Sequence, residues 1–151
     1  MENAKNYCWY NRIEDLAQAA GYTSSAPPEL GMKDCPDDNI CTWSSAFAVL
    51  LVWAVPEKEI ACLHSSWKRM QDCLDRVLLE KEEDDKGTFD GYFCIILPRQ
   101  PDETEFANLR QIETDRSVCR KHVLWPGKHG LEKLEGLVHE ITALALPQSD
   151  L

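Results

Sequence analysis

Apolar strand-like runs alternate with amphipathic helical stretches along this chain. They predict an α/β domain: a small, mainly parallel sheet of three or more strands flanked by helices, with an extra N-terminal helix and a long irregular loop. Three observations carry the prediction. Ala46–Val55 and Phe89–Leu97 are continuous apolar runs, stopped by Pro56 and Pro98, as strands covered on both faces are. Glu57–Lys81 sets Ile60, Leu63, Trp67, Met70, Leu74, Val77 and Leu78 at helical spacings between them. Strands separated by helices pair in parallel through right-handed crossovers. A length of 151 residues fits one domain, 1–151, able to bury its own core.

In chain order, Tyr7–Ala20 comes first. Tyr10, Ile13, Leu16, Ala17 and Ala20 share a helical face, and Gly21 supplies a C-terminal stop. Tyr22–Cys41 reads as the irregular loop, because Pro27-Pro28, Gly31 and Pro36-Asp37-Asp38-Asn39 are turn chemistry. A loop of that length either wraps the body or orders against a partner. Periodicity alone would also fit Ala46–Val55 as a buried helix; its valines, aromatics and proline stop favour a strand. The charge run Lys81–Lys86 reads as a solvated loop after the long helix. Asp102–Thr114 is a short helix opened by Pro101 and an Asp102/Glu105 capping box, with Phe106, Leu109 and Ile112 inward. Val118–Trp125 is the third strand. Alternation puts Cys119, Lys121, Val123 and Trp125 on one face and Val118, Arg120, His122 and Leu124 on the other. Neither face is purely apolar, so this strand is expected at an edge or under incomplete cover. Gly130–Leu146 closes the chain as a helix with Leu131, Leu134, Leu137, Val138, Ile141 and Leu144 inward.

The net charge of −10 argues against a general nucleic-acid binder, whose footprint is a net basic face, and leaves room for a local basic patch. No run approaches the ~20 apolar residues that span a bilayer. The first residues lack the basic start and apolar stretch of a signal peptide, so a cytoplasmic location with no membrane contact is expected. Seven cysteines, at 8, 35, 41, 62, 73, 94 and 119, form no CxxC pair. Cys35 and Cys41, around Pro36-Asp37-Asp38, are the nearest approach to a zinc ligand pair; free and mostly buried thiols are the simpler reading.

The common catalytic signatures are missing. No GxxxxGK or GxGxxG frame, no GxSxG elbow and no His-x-x-x-His pair occurs. Isolated His64 and His139 fall on amphipathic helices, where a lone histidine is more often a surface or satisfied residue than a ligand. A metal-dependent nuclease would need carboxylates and a lysine converging at strand ends. Asp90, Glu113, Asp115 and Lys121 are the candidates, although Asp90-Gly91 also fits a turn or bulge and Asp115-Arg116 a local ion pair. Cys119 beside Arg120 and His122 is a conceivable nucleophile, but alternation points those cations to the opposite face, which favours a buried structural thiol. No catalytic residue, metal ligand or cofactor is therefore assigned.

The densest feature is Glu113–Pro126, which concentrates Arg116, Arg120, Lys121 and His122 in an acidic chain and ends in Trp125-Pro126. Asp-Gly-Tyr-Phe-Cys-Ile-Ile-Leu-Pro (Asp90–Pro98), then an acidic helix, then Gln111–Pro126 resembles the middle component of bacterial ABC-type three-component systems. Lamassu-type anti-phage and anti-plasmid defences are among these systems. The resemblance is sharpest over the second half of the chain. It implies a non-enzymatic adaptor or regulatory subunit beside an SMC/ABC-like ATPase and an effector, often a nuclease, with DNA contact only indirect or within the complex. It supplies no catalytic residues.

The basic cluster keeps three readings. Arg116 and Arg120 can pair with Glu113, Asp115 and other acids of this chain. Arg116, Arg120, Lys121, His122 and Trp125 can instead meet a protein partner, since Arg and Trp dominate interface energetics. Contact with DNA phosphates is the third. An acidic immunity or antitoxin protein covering a basic toxin is the alternative to the adaptor.

Overall fold

The two apolar runs become the centre of the molecule because no other position would keep both their faces dry. In the computed structural model, which describes residues 2–25, 40–85, 88–128 and 130–145, β3 (Ala48–Ala54) is buried at every residue and β4 (Asp90–Ile96) at all but its first. They pair in parallel, and β4 pairs in parallel with β5 (Arg120–Gly127). Two helices make the crossovers: α2 (Leu63–Asp85) and α3 (Glu103–Thr114). Steps taken in one direction across a sheet with one crossover hand must put both helices on the same face. Trp67, Met70, Leu74 and Leu78 of α2 and Leu109 and Ile112 of α3 accordingly pack on Val49, Leu51, Trp53, Phe93, Ile95 and Val123.

The opposite face is covered by the two ends of the chain. Helix α1 (Glu2–Ala19) lays Ile13 and Ala17 on it, with Trp9, Tyr10 and Leu16 half-buried beside them, and α4 (Leu134–Ala145) adds Leu134 and Leu137. Leu50, Val52, Tyr92, Cys94 and Leu124 form the strand side of this second core. Ile141 and Leu144 have side chains outside the described residues. Gly21 ends α1 as expected. Its φ of +91 suits glycine, and Tyr22 N–H donates to Ala17 O (2.8 Å) while Gly21 N–H donates to Gln18 O (3.0 Å), a Schellman closure. The capping box of α3 also forms: Glu105 N–H donates to Asp102 Oδ1 and Asp102 N–H to Glu105 Oε1, both at 2.8 Å.

The sheet departs from the expected one in being mixed rather than mainly parallel. Its order is β1-β2-β3-β4-β5-β6, and β1 (Thr23–Ser25), β2 (Ile40–Ser44) and β6 (Gly130–Glu132) all pair antiparallel to their neighbours. Both ends of the expected irregular loop 22–41 are thus strand, and 26–39 lies outside the described residues. Ile40 and Trp43 explain why β2 joins the sheet: they bury on opposite faces, at 3% and 0% exposure.

Other differences are local. Glu57–Cys62 is a 3-10 turn preceding α2, a common way to enter a helix. Lys81–Asp85 stays helical instead of looping: Glu82 Oε2 accepts from Phe89 N–H (3.1 Å) and the Lys81 ammonium lies 5.9 Å from the Phe89 ring centre. Gly130–Glu132 pairs with Trp125–Gly127 instead of starting α4, Gly130 taking a φ of +109 that glycine permits. No helix among the described residues is long and apolar enough to cross a membrane.

Candidate functional site

The charged segment Glu113–Pro126 runs from the end of α3 into β5, and alternation there comes out as the sequence implies. Cys119, Lys121 and Val123 face α2 and α3; Leu124 faces the other core. The consequence for Lys121 is burial. Its side chain is 0% exposed, and Nζ donates to Asp115 O (2.6 Å), Ser117 O (3.0 Å), Cys119 O (3.2 Å) and Asp115 Oδ1 (3.2 Å). The Trp67 ring lies 5.4 Å below it. An ammonium with three N–H donors can remain charged indoors only when oxygens replace its water. Here a turn of its own chain supplies them.

That turn is locally strained. Asp115 Oδ1 accepts from the Ser117 amide (2.9 Å) and from the Ser117 hydroxyl. These bonds, with Lys121 alongside, hold the Asp115 carboxyl down at about 2. Cys119 N–H then reaches Ser117 O at 2.8 Å, closing a three-residue turn around Val118 with a φ of +70. A β-branched residue there sits in the disfavoured hand of the γ-turn. The lysine clamp offsets the strain, because a relaxed turn would withdraw carbonyls from Nζ. Cys119 is buried, its thiol pushed up to about 11 by that burial, with Sγ 3.9 Å from Gln71 Oε1. That environment is the reverse of one that activates a nucleophile.

The five predicted contact residues do not form one surface. Arg116 and Arg120 are exposed, whereas Lys121 is interior. His122 is half-buried below α4, where a Cβ on Gly136 would stand 3.9 Å from its Nδ1. Trp125 packs on the α2/α3 side, with Phe106 edge-on at 5.7 Å and Lys133 Nζ 5.6 Å from its ring. This contact places Phe106 at the surface, 40% exposed, rather than in the core expected of it.

The four residues weighed for a nuclease are engaged separately. Asp115 and Lys121 meet each other in the turn. Glu113 points away, accepting from Lys133 Nζ on both carboxylate oxygens and from Val123 N–H (3.2 Å). Asp90 opens β4 and is exposed, with its N–H on Phe47 O (2.9 Å). Among the described residues no group of three His, Cys, Asp or Glu could hold a metal ion. Cys35 lies outside the described residues, so the Cys35/Cys41 pair cannot be placed.

Glu113 has a role that sequence reasoning missed. Leu97 N–H bonds Leu124 O (2.8 Å), so the backbone groups of Leu124 face β4 and those of Val123 face the outer edge of β5. Among the described residues β6 covers only Trp125–Gly127 of that outer edge. The Glu113 carboxylate thus caps a strand amide that another chain could otherwise pair with. Glu113→Ala is expected to cost about 1 kcal/mol and to promote concentration-dependent association. Urea denaturation with light scattering over a concentration series checks both.

A second charged constellation stands at the other end of the parallel strands. Arg99 bonds Glu105 through Nη1 (3.0 Å) and Nη2 (3.2 Å) and Glu57 through Nε (2.9 Å), clasping the 3-10 turn to α3 above a shallow cleft that also includes His64 and Asn108. Its guanidinium is already occupied by carboxylates of this chain.

A family model described as the ABC-three component (ABC-3C) system Middle Component 1 matches residues 51–148, more than half the chain and all of Glu113–Pro126. No curated protein and no solved structure matches.

Proposed function

Because this chain belongs to the ABC-three component (ABC-3C) system Middle Component 1 family, we propose that it is a non-enzymatic subunit that links the other components of such a system. In this reading one partner is an SMC/ABC-like ATPase that senses aberrant DNA, and the other is an effector such as a nuclease. The assembly defends a bacterial cytoplasm against phage or plasmids.

The observation that supports a linking rather than a catalytic role is how the reactive-looking residues are used. Lys121 and Asp115 build a turn, Glu113 seals a strand edge and Cys119 is a buried thiol. Each has a structural task that leaves its polar atoms directed at this chain.

The test is affinity purification of the tagged protein from cells expressing its whole operon, with mass spectrometry of the eluate and a DNA-degradation assay on the isolated chain. A large ATPase and a second component should co-elute, and the isolated chain should leave DNA intact with Mg²⁺ or Mn²⁺. Metal-dependent cleavage abolished by Asp90→Ala would overturn the proposal in favour of a nuclease. A single small basic toxin in the eluate would overturn it in favour of an immunity protein.

A further inference from the structure

The described residues include four large hydrophobic side chains that are more than a third exposed: Phe47 (56%), Leu79 (53%), Val118 (43%) and Phe106 (40%). Phe106 is accounted for by Trp125, and Leu79 lies on the outer face of α2. Phe47 and Val118 share one end of the sheet. Ala48 is level with Asp90, and Tyr92 with Arg120. The strand register ends at Arg120, but the turn before it stays beside β4: a Cβ on Gly91 would stand 3.2 Å from the Cys119 Cβ. Phe47, whose carbonyl holds the Asp90 amide, and Val118, next to Cys119, therefore flank the start of β4.

Both are held out on fixed turns. Ser45 Oγ accepts from Phe47 N–H (3.2 Å) and Ala48 N–H (3.1 Å), and Phe47 O accepts from Asp90 N–H (2.9 Å). Val118 sits at its φ of +70 over the Lys121 clamp. A chain that gained nothing from Val118 would relax by placing glycine or asparagine there. Arg116 stands exposed two residues before Val118 in a molecule of net charge −10.

We propose that this end of the sheet, comprising Phe47, Val118 and Arg116, is the docking surface for a segment of a partner subunit that carries apolar side chains next to a carboxylate. The proposal rests on reading this chain as one subunit of a complex. The two apolar side chains favour a protein occupant over DNA, because a phosphate backbone makes no use of Phe47 or Val118. Arg116 supplies the charge complementarity, and preorganised turns spare the ordering cost of binding.

The test uses the full chain, tagged and co-expressed with the other components of its system, as wild type and as Val118→Gly, Phe47→Ser and Arg116→Glu. Val118→Gly is the discriminating variant. Glycine adopts the positive φ without strain, so its melting temperature should be unchanged or raised while partner recovery falls at least about tenfold. Phe47→Ser should lose recovery similarly, and Arg116→Glu should do so most at low salt. Full recovery by all three variants, with wild type also recovering partners, would overturn this surface and leave the subunit reading standing. No recovery by wild type would overturn the subunit reading and the surface with it. Loss of DNA binding by the complex in Arg116→Glu, with Phe47→Ser and Val118→Gly both silent, would overturn it in favour of phosphate contact.

Discussion

Lys121→Met is expected to destabilise the protein by about 3 kcal/mol, because carbonyls left buried without a donor cost about 1–3 kcal/mol each. Methionine keeps the apolar stem against Trp67 and deletes the donors. The carbonyls of Asp115, Ser117 and Cys119 and one Asp115 oxygen then lose their shared cation together. At 2–4 °C per kcal/mol for a chain of this size, the melting temperature should drop by roughly 10 °C. Lys121→Arg should not rescue it, because a planar fork cannot point at three carbonyls of one tight turn.

A pH series reads the same turn from its other member. The Asp115 carboxyl is held down at about 2, below its ordinary 3.8, by Ser117 and Lys121. Its contribution is thus fully present above pH 4 and lost as the pH falls towards 2. In Lys121→Met that acid-sensitive component should shrink. Urea denaturation at neutral pH and across this window checks both effects; a loss below 1 kcal/mol would mean that the clamp does not hold the turn.

Trp43→Ala should be comparably damaging, at about 3–5 kcal/mol for an aromatic removed from a closed core. Trp43 is fully buried in β2, its ring centre 5.6 Å from Tyr10, and its Nε1–H donates to the Glu14 carboxylate on α1. One side chain thus fastens the N-terminal helix to a strand on the antiparallel side of the sheet. Trp43→Phe separates the two contributions: it keeps most of the packing and removes a charge-assisted bond worth about 1.5–3 kcal/mol. Native-state hydrogen exchange should show α1 amides losing protection ahead of β4 in both variants. Uniform loss across the molecule would mean that α1 and the central strands unfold as one unit.

These two residues also mark where the sequence stops being legible. The central strands were readable because Ala48–Ala54 and β4 have no polar face, and the helices because their apolar stripes repeat. The α3 capping box was readable because its two partners lie three residues apart. Strands β1 and β2 were not. Thr23–Ser25 offers three small polar residues, and Ile40–Ser44 follows a run of turn formers; β2 pairs because the edge of β3 is available, and β1 then adds to β2. Gly130–Glu132 was hidden by Leu131, which fits the period of α4 as well as it fits a strand.

At the candidate site, alternation correctly put Lys121 on the face of Cys119 and Val123. It could not say that this face is interior, since lysine is seldom buried and its oxygen partners come from a turn that no periodicity reveals. Glu113 was equally opaque, because its partners, the Val123 amide and Lys133, come together only when β5 and β6 fold against α3.

The most direct test of the linking role is to purify the other components of the system separately and mix them with and without this chain, following assembly by mass photometry. A linking subunit predicts that they associate only when it is present, and that Val118→Gly weakens the assembly without lowering this chain's own melting temperature. Association of the other components to the same extent in its absence would contradict it.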